Sequence, residues 1–285
     1  MDDTVSAPPQ GKATWLDEPF NPEHGTRLSY PLIQWYNARN SEMAEIHPVL
    51  GNGGWEWPMD SFGRATATGE IPAGFSEARK VKHQNGKKTI MAMLAEKLSV
   101  AVLAHRSAWR NKDTGRYLRP GQYTADMNVE KIVNLLVYVK GADTISPVVL
   151  TLSGRGSTEA ILDILKTFDD EVVALASQIK HQPVPRYAFW LTIESGGPKE
   201  IKSKRMSESS MATPPVIVLD RPALADPRRR VAALGAMFVG PEMKALCEQT
   251  YPLAQLWVKQ YDTAASQDDA PDDDVPPMPD EEMQD

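Results

Sequence analysis

Hydrophobic positions along the chain keep one period in its first half and another in its second. Residues 1–27 show no sustained period and are rich in Pro, Gly and polar side chains, which predicts a loose N-terminal arm with Trp15 and Phe20 as candidate anchors. From Leu28 onward, short apolar or alternating runs at 28–36, 55–62, 98–109, 117–123, 129–139 and 148–152 are separated by Gly, Pro and Asn. That spacing predicts strands. Two turns, Asn111 to Gly115 and Gly141-Ala142-Asp143, carry residues that tolerate a left-handed backbone and predict antiparallel hairpins. After Gly156 the period becomes about 3.6: Ile161, Leu162, Ile164, Leu165, Phe168, Val172, Val173, Leu175 and Ile179 share a helical stripe, opened by the cap candidates Ser157 and Thr158. Further strands are predicted at 188–194 and 216–219, around a polar loop at 195–213. Helices follow at 227–238 and 241–260, each begun by a proline in the first turn, where no backbone donor is needed. The pattern predicts a mainly β domain over 28–222, C-terminal helices over 223–263 and a disordered tail over 264–285.

Composition changes this picture little until charge is mapped. The chain has 285 residues, 41% hydrophobic and 24% charged, enough for a sizeable core. Its single cysteine, Cys247, rules out an internal disulfide framework, and no Cys/His spacing suits zinc, so neither a metal nor a cofactor is implied. With no basic n-region leading an apolar stretch and no run of eighteen apolar residues, a cytoplasmic protein off the membrane is expected. Charge is far from uniform. Nine of the 38 acidic side chains fall in the last nineteen residues, which hold no Lys or Arg; the remaining 29 nearly balance the 31 basic ones. A like-charge run broken by Pro271, Pro276, Pro277 and Pro279 repels itself and buries little, so it predicts a solvated tail.

The cations sit elsewhere. Between Arg79 and Arg119 lie eleven Lys or Arg residues against only Glu96 and Asp113. One cluster, Arg79, Lys80, Lys82, Lys87 and Lys88 with His83, surrounds Asn85-Gly86 as a basic loop or hairpin tip. The other, Arg106, Arg110, Lys112, Arg116 and Arg119, flanks a predicted hairpin and is interleaved with His105, Trp109, Tyr117 and Tyr123. Basic side chains attract phosphates, while aromatic faces on the same strands offer stacking surface to unpaired bases at about 1–3 kcal/mol each. Charge runs are commonly plain solvated faces and strand aromatics commonly core, but the local excess resembles the electrostatic footprint expected of a nucleic-acid binder. Upstream, Trp35 and the same-face pair Trp55 and Trp57 either stack bases or close the core.

Catalytic constellations are scarce. Gly154-Arg155-Gly156-Ser157-Thr158 follows a strand and opens a helix, yet matches no phosphate-loop pattern. Glu200-Ile201-Lys202 has the Glu-x-Lys spacing of many metal-dependent nucleases without an evident aspartate partner. The five histidines form no i, i+4 pair, and nothing points to a Ser/His/Asp triad.

The order of parts resembles the OB-fold single-stranded DNA-binding proteins of bacteria and phages: short strands, basic and aromatic hairpins, a helix after an inner strand, and a tail packed with Asp, Glu and Pro. More narrowly, residues 136–141 followed by 147–154 are similar to a hairpin-then-helix signature of phage and mobile-element proteins of this type. The resemblance implies an OB-fold-like antiparallel barrel with an inserted helix. It also implies a non-enzymatic, sequence-independent binder of single-stranded DNA acting in replication, recombination or repair inside a bacterial host cell. Lys80, Lys82, Lys87, Lys88, Arg106, Arg110, Lys112, Arg116 and Arg119 would line the groove, with Trp109 and Tyr117 stacking first and Trp35, Trp55 and Trp57 behind them. Asp272, Asp273, Asp274, Asp280, Glu281 and Glu282 would recruit replication or recombination proteins and compete for the groove. The tail ends Glu282-Met283-Gln284-Asp285 rather than in the family's usual aromatic residue, which puts the usual partner docking in doubt. The C-terminal helices lie outside a minimal barrel and suit an oligomer contact or a second lobe. The rival readings are a nuclease or other phosphoryl-processing enzyme, and an adaptor whose basic face meets an acidic partner.

Overall fold

In the computed structural model, the described residues are 29–36, 53–83, 88–113, 117–118, 127–197, 199–202 and 209–267. The N-terminal arm and the acidic tail 268–285 lie outside them. Strands β1 (Leu32–Tyr36) and β2 (Gly54–Pro58) pair antiparallel, with Gln34 opposite Glu56 and Gln34 Nε2 donating to Glu56 Oε1 at 2.7 Å. Pro58 ends β2, and helix α1 (Met59–Ala65) follows at once, so the run at 55–62 is half strand and half helix. An antiparallel hairpin, β3 (Arg79–His83) and β4 (Lys88–Ala95), comes next. Only Glu96 separates β4 from the fifteen-residue β5 (Lys97–Asn111), so 88–111 is one long bent strand. Then come the short β6 (Tyr117–Leu118), β7 (Val129–Val139) and β8 (Val148–Ser153).

A helical rod follows, built from α2 (Arg155–Phe168), a π turn (Asp169–Val173) and α3 (Ala174–Lys180). His181 ends it at φ 52°, a left-handed cap on a non-glycine residue. A 3₁₀ turn (Arg186–Ala188) leads into β9 (Leu191–Ser195). The expected polar loop contains a separate two-stranded hairpin, β10 (Lys199–Lys202) and β11 (Ser209–Ala212), before β12 (Pro215–Ile217). Helices α4 (Arg221–Ala225), α5 (Arg230–Met237) and the long α6 (Pro241–Gln267) complete the described chain.

The main sheet is mixed, with order β12-β9-β5-β7-β8-β1-β2-β4-β3 and β6 added to β5. Among the described residues its one parallel pair is β1 with β8. This corrects the expected antiparallel barrel: the described pairings run as a path with β12 and β3 at its ends, and the sheet is not closed. The burial pattern explains the difference, because helices cover both faces. On β5, Val100 and Val102 join the larger apolar cluster while Ala101 and Leu103 join a second one. On β7 the division is Leu135 and Val137 against Leu136 and Tyr138. The rod supplies Ile161, Leu165, Phe168 and Val172 to the first cluster, and α6 supplies Cys247, Ala254 and Trp257 to the second. Strands buried on both faces read as continuous apolar runs, which is how β7 and β8 appear in the sequence.

Helix α6 therefore covers the sheet instead of standing off as a separate lobe. A hydrogen bond of 2.9 Å between the hydroxyls of Tyr138 and Thr250 pins it to β7. Beside them Cys247 is fully buried, and burial pushes its thiol up to about 12. A disulfide reagent at pH 8 is expected to leave the native protein unlabelled and to label one thiol per chain in denaturant, since only the thiolate reacts. Stoichiometric labelling of the native protein would mean that α6 does not stay on the sheet.

Candidate nucleic-acid interface

The two basic clusters lie toward opposite ends of the bent strand. At a rise of roughly 3.3 Å per residue, Lys88 is about 25 Å before the Glu96 bend and Arg110 about 45 Å after it. Arg79 and Lys80 are exposed on β3, at the end of the sheet order. Lys82 and Lys88 are placed by backbone register, opposite Thr89 and His83. Lys87, Arg116 and Arg119 fall outside the described residues. Lys112 is exposed just beyond β5.

Arg106 and Arg110 are held by the protein itself. The Arg106 guanidinium lies 3.9 Å over the Trp257 ring, and its Nη1 donates to the Trp257 carbonyl at 2.9 Å. Arg110 forks onto the Glu130 carboxylate, its Nε donating at 2.9 Å across the β5–β7 ladder. The second pair leaves little local charge, whereas stacking leaves the first guanidinium positive. Tyr117 is placed by backbone register alone, opposite Arg110. Trp109 alternates with Arg110 along β5 and so points to the other side, where register places Lys131 beside it. Arg106 and Arg110 therefore do not share a side of the sheet with Trp109. Sequence reasoning missed Lys131, because cross-strand neighbours appear only once β7 is set against β5.

The upstream tryptophans are core. Trp35 is 6% exposed, and Trp55 and Trp57 are 0% exposed. Trp55 and Trp57 do share a face, but it is the face sealed against α1 and the inner strands. Trp35 packs edge-on to Trp55 at 4.8 Å between centroids and donates its Nε1–H to the Thr213 carbonyl at 3.1 Å. Trp57 packs edge-on to Phe62 at 4.9 Å. With no exposed face these rings do not stack a base, which corrects their assignment as platforms.

Rival motifs fare as follows. Gly154, at φ 81°, makes a strand-to-helix turn whose Ser157 and Thr158 are 1% and 0% exposed, so their hydroxyls face the interior rather than an anion. Glu200 and Lys202 lie on β10. Among the described residues no three His, Cys, Asp or Glu side chains gather as a metal site, and no helix is long and apolar enough to cross a membrane.

Sequence reading also missed a cleft at the outer edge of β5. There β9 pairs only with Lys97 to Val100 and β6 only with Trp109 and Arg110, and no other described strand pairs that edge between them. A cavity of about 370 Å³ opens at this gap, lined by Leu103, His105, Asp169, Arg186, Tyr187, Tyr251 and Gln255 among others. Arg186 makes a two-point ion pair with Asp169 on the π turn, its Nε donating to Oδ1 at 2.8 Å, and its Nη1 lies 3.5 Å from His105 Nδ1. Desolvation first, and the Arg186 charge second, lower the His105 pKa, against a smaller opposing pull from Asp169. His105 is thus neutral at pH 7; because Arg186 only donates, its ring proton sits on Nε2.

No family model, curated protein or solved structure matches the chain.

Proposed function

We propose that the chain is a non-enzymatic binder of single-stranded DNA, indifferent to sequence and acting in replication, recombination or repair. The observation that carries this reading is the excess of eleven cations over two acids between Arg79 and Arg119, a span whose described residues hold the β3–β4 hairpin, the bent β4–β5 strand and β6. What supports an OB-fold-like arrangement is the strand path. Within the open sheet it runs from β5 through β7, β8, β1 and β2 to β4, which precedes β5 across the Glu96 bend, with a helix after β8. Five segments in that order suit the partly open five-stranded barrel that binds oligonucleotides. The binding path runs over the side of β5 that carries Arg106 and Arg110, toward Lys112, with the β3–β4 cations at the far end. The acid-rich tail competes for this path and recruits replication or recombination proteins in the bacterial cytoplasm.

Titration of the full chain at low salt with labelled oligo(dT), and with a duplex of equal length, in Mg²⁺, tests the reading. Tight binding of the single strand, weaker binding of the duplex and an intact strand afterwards are expected. Cleavage would move the assignment to a nuclease, and failure to bind at 50 mM salt would end it. Of the six described tryptophans, five are buried and Trp109 is half-buried, so among these six direct quenching by a bound base is open mainly to Trp109.

A further inference from the structure

We infer that the cleft at the unpaired edge of β5 receives one unpaired nucleobase. The inference deepens the binding reading above and rests on it for the source of the base, but its own evidence is the chemistry of the cleft. Its volume of about 370 Å³ falls in the range of small-ligand sites. An anion is a poor occupant, because the Asp169 carboxylate already neutralises Arg186 in a two-point pair. A cation is a poor one too, since Arg186 and its carboxylate are committed to each other.

What remains is neutral hydrogen-bonding capacity between flat and aliphatic walls. His105 is neutral and directs Nε2–H away from Arg186. The half-buried Gln255 offers an amide that both donates and accepts. Tyr251 is 40% exposed and lies 5.5 Å, centroid to centroid, from the buried Tyr187, so one ring is fixed by the core and the other presents a face. Leu103, at the bulge in β5, lines the cleft. A planar, neutral ligand with donors and acceptors on its edge meets each of these groups, and a base has that chemistry. Arg106 follows His105 on β5 and turns to the other side of the sheet, while Trp257, which it covers, shares helix α6 with Tyr251 and Gln255, so the cleft borders the route at the edge of β5. The π turn that carries Asp169 to Arg186 is a feature often found at binding sites.

Neutral nucleosides test the cleft separately from charge. In saturation-transfer NMR with the full chain, adenosine, cytidine, guanosine and thymidine are each offered to the native protein, to Tyr251→Ala and to Gln255→Leu. Transfer to the base protons is expected, lost in Tyr251→Ala and with a changed order among the four bases in Gln255→Leu, while thermal melts stay unchanged because both side chains reach solvent. Oligo(dT) affinity should fall roughly 5- to 150-fold in Tyr251→Ala, the range of one lost base stack, with the salt slope unaltered. Strand binding without any nucleoside signal would overturn the cleft and leave the cationic path standing. Nucleoside signals without strand binding would keep the cleft and overturn the cationic path.

Discussion

Replacing Trp55 or Trp57 with alanine should destabilise the protein by about 3–5 kcal/mol, the cost of emptying a large buried aromatic site. Both rings are 0% exposed and interlock through edge-on contacts with Trp35 and Phe62, so the vacated volume has rigid walls and little means of collapse. Urea unfolding followed by circular dichroism gives the loss directly, and the midpoint should move with little change in slope. The variants should lose nucleic-acid binding only in proportion to the unfolded fraction. Trp109→Ala should change stability little, because its ring is half-buried. Wild-type unfolding midpoints for Trp55→Ala and Trp57→Ala, together with weakened strand binding, would place these rings at a surface and refute the core described above.

Affinity for a single strand should depend steeply on salt. For about six neutralised phosphates, a slope near 0.7 per phosphate gives roughly −4 on a log–log plot, a loss on the order of 10²–10³ between 50 and 200 mM salt. Arg79, Lys80 and Lys112 are exposed, so their charges are open to phosphates. Arg110→Ala should change affinity less than Lys112→Ala, because Arg110 is already matched by Glu130. Removing residues 268–285 should tighten binding several-fold at low salt, and the gain should fade as ionic strength rises and screens the tail. Flat salt dependence, or a tail deletion without effect at any salt, would remove the electrostatic basis of the proposal.

Local pattern was a good guide where one element decides its own state. β7, β8, the rod and α6 stand out by period and punctuation, and the Gly141-Ala142-Asp143 turn does join β7 to β8. The β3–β4 hairpin was legible only as a charged turn, because Lys88 to Ala95 runs KTIMAMLA without clean alternation. Long-range choices were not legible. Nothing in the segment Gly54 to Pro58 says that every side chain but the last will be buried, since a strand with one covered face and a strand with two differ only in what packs on them. The Arg110–Glu130 pair depends on the β5–β7 register, and the cleft assembles His105, Asp169, Arg186 and Tyr251 from four separate segments. Charge could be counted from the sequence, while the side of the sheet it would occupy depended on pairing.

The parallel contact between β1 and β8 sets an order of events during synthesis. Ile33 meets Leu150, 117 residues further on, so the β1–β2 hairpin leaves the ribosome long before the strand that closes its edge. At about 5–20 residues per second that wait lasts roughly 6–23 s. For that interval Leu32, Ile33 and Trp35 lie along an open strand edge, a surface prone to pairing with the wrong chain. Completion of β8, rather than of the N-terminal hairpin, is therefore the moment at which the nascent chain becomes safe from its neighbours.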